Sequence, residues 1–273
     1  MRDAVADHYA RDEILDTILR ALAEEGKDLA RLTPLDLAPI DEFHMRGRQA
    51  TIELADLAAL APGQRLLDVG CGLGGSVRYL AQERGCRAVG VDLTQQYVEV
   101  ATALAGLVGL DRKVEFRQGS ALALPFPDHA FDAVWTEHVQ MNIADKAAFY
   151  RELTRVLVPG GRLVFHDVFQ GAGGPVHFPV PWADDASISF LVDADSARPQ
   201  IERAGLKVLR WEDLTQRSLD WFIAMREKAK RVGRAPLGLH LLMGDNAASK
   251  SANNVANLRE GRIVVMQAMC IKI

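Results

Sequence analysis

The stretch Leu66-Leu67-Asp68-Val69-Gly70-Cys71-Gly72-Leu73-Gly74-Gly75 decides the fold. An apolar run from Arg65 to Val69 leads into it, and a helix-like segment, Ser76 to Arg84, leads out. This is strand, glycine turn, helix. Glycine admits φ > 0 and lets a ligand touch the backbone, since no Cβ intervenes. The turn also leaves N–H groups open at the helix start. Two ligand classes use such a turn. The dinucleotide fingerprint G-x-G-x-x-G sets a pyrophosphate on the helix end. Here the spacing is Asp68-x-Gly70-x-Gly72-x-Gly74, with an acid before the first glycine. A carboxylate repels a pyrophosphate and suits a ligand that carries an ammonium group.

A second short β-rich run, Ala88-Val89-Gly90-Val91-Asp92-Leu93, ends in an acid. At the end of a second strand an acid can accept hydrogen bonds from ribose hydroxyls. With Asp92 in place, the D-x-G-x-G-x-G pattern resembles the first motif of the class I S-adenosylmethionine-dependent methyltransferases. The run Arg155-Val156-Leu157-Val158-Pro159-Gly160-Gly161-Arg162 resembles a further element of the same family and extends the likeness from Leu66 to Asp167. The resemblance implies an α/β fold: a Rossmann-like, doubly wound, seven-stranded and mostly parallel sheet, with the last strand antiparallel between strands five and six. It implies S-adenosyl-L-methionine as cofactor. Asp68, Gly70, Gly72 and Gly74 would hold its methionine part, and Asp92 with Leu93 its ribose. Gly119, Ser120 and Ala121 would face the adenine, and Glu137 completes the set. Many members carry Asp where Ser120 stands; a serine hydroxyl still hydrogen-bonds.

The composition agrees with a globular enzyme. Of 273 residues 49% are hydrophobic and 25% charged, as in ordinary soluble domains. Net charge is −4 with a pI near 6.0, which advertises no basic face for nucleic acid. No apolar run approaches the ~20 residues of a membrane helix. Met1 to Ala10 is charged and lacks a signal-peptide core. Cys71, Cys86 and Cys270 are scattered and form no metal or disulfide pattern. A cytoplasmic protein, monomeric or homodimeric, is the expectation. Residues 1–60 are read as an N-terminal helical lid segment, and residues 61–273 as the cofactor-binding methyltransferase domain.

Along the chain, Ile14, Leu15, Ile18, Leu19 and Leu22 form a helical stripe within Asp12 to Glu25. Thr33 to Ile40 reads as a loop, and Gln49 to Leu60 as a second helix. After Gln95 to Val108, a helix, comes strand three from Val114 to Arg117. Phe131 to Trp135 is strand four, and Asp145 to Leu157 a helix. A glycine turn then precedes strand five, Arg162 to Asp167. Gln170 to Trp182 is a loop; Ser187 to Leu191 and Arg198 to Ala204 read as helical. Lys207 to Leu214 fits strand six, Thr215 to Val232 a helix, and Gly261 to Ile273 the last strand. Gly233 to Glu260 has no clear assignment.

In α/β sheets the carboxyl ends of the strands line the ligand crevice. Strand four leaves there through Thr136-Glu137-His138-Val139-Gln140-Met141-Asn142-Ile143. This segment, the stretch Phe43-His44-Met45-Arg46-Gly47-Arg48, and the run Phe178-Pro179-Val180-Pro181-Trp182 resemble the branch that includes sarcosine/dimethylglycine N-methyltransferases. An amine acceptor is therefore expected, with His138 as proton acceptor. His44, His166 and His177 are further candidates. Arg46 or Arg48 could fork onto an acceptor carboxylate, and Trp182, Phe178 and Phe190 could face an ammonium. His44, Arg48, Gln140, Asn142, His166 and Trp182 make up the expected acceptor site. That branch often has His where this chain has Asn142. No metal is expected, because Glu137 and Asp167 form no clustered carboxylate set for Mg²⁺. Two alternatives stand beside this reading. An O- or C-methyltransferase of a phenolic or isoprenoid metabolite would need a greasier pocket and no arginine. A non-catalytic binding subunit would have no need of intact glycines or Asp92.

Overall fold

In the computed structural model residues 4–10 and 13–273 are described. Helices α1 (Ala4–Tyr9), α2 (Ile14–Glu24), α3 (Pro34–Asp41) and α4 (Arg48–Ala58) precede the sheet. Then follow β1 (Arg65–Val69), α5 (Gly75–Glu83), β2 (Arg87–Asp92), α6 (Gln95–Leu107) and β3 (Val114–Gln118). The second half runs β4 (Phe131–Glu137), α7 (Lys146–Val156), β5 (Leu157–Gln170), α8 (Ala194–Arg203) and β6 (Leu206–Asp213). It closes with α9 (Thr215–Val232), α10 (His240–Met243), α11 (Ala247–Arg259) and β7 (Ile263–Lys272).

The seven strands lie in the order β3-β2-β1-β4-β5-β7-β6. β7 runs antiparallel to both of its neighbours, and the other pairs are parallel. β1 shows why the centre sits where it does. Leu66, Leu67 and Val69 are fully buried, as a strand covered by helices on both faces requires. One face packs Leu67, Val69, Val134 and Phe165 against Phe149 and Leu153 of α7. The other packs Leu66, Ala133 and Trp135 against Leu54 of α4 and Val77 of α5. The order reverses between β1 and β4, so the crevice opens at their carboxyl ends.

The glycine turn joins β1 to α5 with tight geometry. Gly70 has φ +76, and a Cβ there would lie 2.4 Å from Val139 Cγ2. Gly74 has φ +80, and its Cβ would meet the Phe116 ring at 2.5 Å. Both positions combine left-handed backbone with no room for a side chain.

Two sequence expectations are corrected, and one unassigned segment is resolved. Thr33 to Ile40 is not a loop, since α3 occupies most of it. Thr33 and Asp36 form a reciprocal capping box and Pro34 sits in the first turn, which starts a helix despite Pro39. Ser187 to Leu191 is not a helix: only a 3-10 turn, Ala186–Ile188, forms there, started by the Asp185 side chain accepting from Ser187 N at 2.8 Å. Gly233 to Glu260 holds α10 and α11. Part of the helix expected from Asp12 lies outside the described residues.

The N-terminal helices are built into the core. Ile18, Leu22, Leu37 and Ile40 pack with Leu73, Tyr97 and Leu104. Asp41 of α3 receives a 2.5 Å ion pair from Arg78 of α5, and both side chains are wholly buried. No described helix is long and apolar enough to cross a membrane.

Candidate active site

The carboxyl ends of β1, β2, β3 and β4 open into a cavity of about 460 Å³, a normal size for a small-molecule site. Its first half is made by the glycine turn and the strand ends. Gly70, Gly72, Asp92, Leu93, Gly119, Ser120, Ala121 and Glu137 all line it. Asp92 Oδ2 accepts from Gly72 N at 2.8 Å and Oδ1 from Thr94 N at 2.9 Å. Those bonds fix the carboxylate and leave further lone pairs for a ligand. Burial raises its pKa, opposed by the same backbone donors. Asp68 lines a smaller cavity of about 40 Å³. That cavity shares Gly70, Gly72, His44 and Glu137 with the large one. Burial, and then the charge of Glu137, push the Asp68 pKa well up, so an arriving cation would be met by a poorly solvated acid. Gly74 lines neither cavity and caps α5.

The second half is apolar. Phe43, Met45, Met141, Trp182, Ile188, Phe190, Trp221 and Phe222 line it. Val5 and Tyr9 of α1 close one side, and Leu239, Met243, Ser251 and Asn254 another. Tyr9 donates to Asn142 Oδ1 at 2.9 Å. Asn142 Nδ2 donates to the carbonyls of Trp182 at 2.9 Å and Ile188 at 2.8 Å. Asn142 thus ties α1, the segment after β4 and the loop after β5 into one wall. Lys146 adds a second tie, donating to Gln140 O at 2.6 Å, to Phe190 O at 2.7 Å and to Ile143 O. Burial brings its pKa down to about 8, against the pull of Asp167.

Three histidine rings meet where the halves join. His138, at φ +54, packs against His166 with ring centroids 5.2 Å apart, and His44 stands 6.1 Å from each. His44 Nε2 faces Glu42 Oε2 at 3.0 Å and Glu137 Oε2 at 3.4 Å. Burial disfavours its charge, but the two carboxylates outweigh that and hold its pKa at about 9. Burial and the His44 charge push the pKa of His138 well down. His138 Nε2 takes a 3.4 Å contact from Met45 N.

Three residues expected at the acceptor site do not line the large cavity. Arg48 Nε pairs with Glu42 Oε1 at 2.6 Å and its guanidinium stacks 5.1 Å over Tyr79. Gln140 turns inward, where its Oε1 accepts from Tyr150 at 2.7 Å. His166 lies fully buried behind His138. Arg46 binds Glu53 at 2.5 Å, and His177 pairs with Glu260 at 2.9 Å near the surface. His44, His138, Asn142 and Trp182 do line the cavity.

A methyltransferase-domain family model matches residues 67–165. Methyltransferase GfsG of Streptomyces halstedii is 30% identical over 186 residues, 67% of this chain and 67% of that protein. The chain belongs to the S-adenosylmethionine-dependent methyltransferases. The glycine/sarcosine/dimethylglycine N-methyltransferase of Actinopolyspora halophila is 28% identical over 178 residues, 65% of this chain but only 32% of that protein. The fold is shared with Haemonchus contortus phosphoethanolamine N-methyltransferase 2, solved with S-adenosyl-L-methionine. The TM-score is 0.77 at 19% identity, covering 99% of this chain and 60% of that one. This chain therefore spans less than two thirds of both N-methyltransferases. N-, O- and C-methyltransferases all stand among its relatives.

The methyltransferase's own residues fit the cofactor. Asp92 presents a fixed carboxylate beside a turn whose glycines keep the floor open, and Asp68 waits at the narrow end. The ribose would lie on Asp92, the methionine ammonium toward Asp68, and the adenine between Leu93 and Ser120–Ala121. Sequence reasoning missed Tyr9, Trp221, Phe222 and the α10–α11 residues. Tyr9 and α11 sit far from any motif, and only their amphipathic spacing could have hinted at a cover.

Proposed function

We propose that this enzyme methylates an oxygen or carbon nucleophile on a largely apolar, uncharged small molecule. The observation that carries this is the cavity wall: among the described residues no lysine or arginine lines it. Arg46 and Arg48 are bound to Glu53 and Glu42 instead. Of the two histidines on the wall, His44 already faces two carboxylates and His138 is held neutral by burial. An amino-acid acceptor such as sarcosine would bury its carboxylate without a counter-charge, which costs several kcal/mol. Apolar walls of Phe43, Met141, Trp182, Phe190 and Phe222 favour a phenolic or isoprenoid acceptor instead.

The bound cofactor supplies an electrophilic methyl group on sulfonium sulfur. The residues must then hold the acceptor in line, exclude water and take a proton. The Asn142 and Lys146 ties keep the covering loops closed over the site. His138 stands on the wall where the two halves meet and takes the proton released from an acceptor hydroxyl; the acceptor oxygen's electron pair forms the bond to methyl, and neutral thioether leaves. A group in that role contributes ~10²-fold or more. His138→Ala is expected to lower turnover by about that factor with cofactor affinity unchanged. A loss below about threefold at every pH would make His138 structural.

The reading is tested by offering isotopically labelled S-adenosylmethionine with a panel of phenols, prenyl alcohols, hydroxylated polyketides, sarcosine, dimethylglycine and phosphoethanolamine. Label is expected in the apolar members. Turnover confined to the charged amines would overturn it.

A further inference from the structure

The cavity wall carries a group of side chains that methyl transfer alone does not explain. His44 comes from the loop before α4, Glu137 from the end of β4, and His166 from β5, paired in register with Glu137. One donor atom of each lies within 4.8 Å of the other two, and all three residues are buried. His166 is wholly buried, and neither of its ring nitrogens has a hydrogen-bond partner among the described residues. Glu137 Oε1 is likewise buried and unpartnered. So is Oε1 of Gln267, which pairs with His166 across β5 and β7. Each such atom costs ~1–3 kcal/mol if nothing occupies the space beside it. So many at one spot point to an occupant.

The donors say what kind. Two imidazoles and a carboxylate suit zinc- or iron-class divalent ions, whereas calcium and magnesium prefer all-oxygen sets. Donors ~2.0–2.2 Å from a four-coordinate ion stand ~3.4 Å from each other. His44 Nε2 and Glu137 Oε2 are 3.4 Å apart; that oxygen already accepts from Ser76 and Trp135, which leaves Oε1 of the same carboxylate for an ion. His166 has a ring nitrogen within 4.8 Å of the other two donors.

Outer contacts are in place as well. His44 Nε2 already faces Glu42 Oε2 at 3.0 Å, and the ring is held protonated there, so an ion must displace that proton, as metal binding to imidazole does. Ser76 Oγ and Trp135 Nε1 donate to Glu137 Oε2 at 2.6 and 2.9 Å, which fixes that carboxylate. We propose that His44, Glu137 and His166 bind one divalent transition-metal ion at the cavity wall. The proposal departs from the metal-free expectation from sequence, which looked for clustered carboxylates. His44 and Glu137 also line the acceptor cavity. On the acceptor reading above, on which this role rests, the ion is placed to polarise an acceptor oxygen.

The test is metal content by mass spectrometry on the purified full chain, followed by Co²⁺ titration of chelator-stripped protein read by visible absorption and calorimetry. One ion per chain and a cobalt ligand-field spectrum are expected. His166→Ala and His44→Gln should each weaken Co²⁺ binding at least tenfold, and His177→Ala not at all. Circular dichroism and melting temperature, measured in parallel, report that each variant is folded, and Glu137→Gln serves should one of the histidine variants fail to fold. A wild type that neither carries nor takes up the ion would leave water as the occupant and overturn the proposal. So would a folded His166→Ala with unchanged Co²⁺ affinity. Neither readout uses an acceptor. Loss of the metal site with apolar acceptors still methylated sinks this inference alone, and a metal-loaded enzyme that methylates only sarcosine-type amines sinks the acceptor reading alone.

Discussion

Replacing Asp92 with alanine is expected to raise the dissociation constant for S-adenosylmethionine by roughly 10²–10⁴-fold while the fold survives. Two ribose hydroxyls would donate to this carboxylate, and hydrogen bonds to a charged group contribute ~1.5–3 kcal/mol each; every 1.4 kcal/mol is about tenfold. The substitution also removes the acceptor that holds Gly72 N at 2.8 Å and Thr94 N at 2.9 Å, so the glycine turn loosens as well. Asp92→Asn keeps the shape and is expected to lose less. Calorimetric titration of both variants checks this, and NAD is expected to give no heat with either the variants or the parent protein. Unchanged affinity in a folded Asp92→Ala would remove Asp92 from the cofactor site.

Replacing Arg78 with methionine is expected to destabilise the protein by ~3–5 kcal/mol. The Arg78–Asp41 pair has no exposed surface on either side chain. Removing the guanidinium strands the Asp41 carboxylate between α3 and α5, where the Asp41 carbonyl already stands 2.5 Å from the position of a Cβ on Gly75. Arg78 also donates to Ala101 O at 3.3 Å, so the change unties α6 too. At this chain length a fall in the melting temperature on the order of 10 °C follows. The double variant Arg78→Met, Asp41→Leu should recover much of the loss, because replacing both ends of a buried pair with apolar groups is often neutral. A single variant that melts with the parent protein would mean that the pair does not anchor the N-terminal helices.

The sheet was readable in the sequence because its signals are local. Leu66 to Val69, Ala88 to Asp92 and Phe131 to Trp135 are apolar runs bounded by turns, and buried parallel strands look like that. The cofactor half of the site is equally local: Asp68 and the glycines lie together after β1, and Asp92 ends the next strand. The acceptor half is not. His44, His138 and His166 come from three separate stretches, and nothing in their spacing announces that the rings stand 5.2–6.1 Å apart. Arg48 misled for the same reason. A conspicuous arginine in a loop reads as a binding residue, but Glu42 takes it at 2.6 Å. Gln140 was judged by its position after β4, whereas the 3-10 turn over Gln140–Asn142 sends it toward Tyr150 and Asn142 toward the cavity. α3 was missed because Pro39 argues against a helix more loudly than the Thr33–Asp36 cap argues for one.

The measurement that bears most directly on the apolar acceptor cavity is a matched pair of acceptors. For the best acceptor found in the panel, kcat/KM is compared with that of an analogue bearing one added carboxylate on the apolar portion. With no lysine or arginine on the described wall, a charge added on the apolar portion, away from His44, is buried unpaired, at a cost of several kcal/mol. A fall in kcat/KM of about 10²-fold or more is expected. An analogue turned over as well as its uncharged parent, or better, would contradict the account.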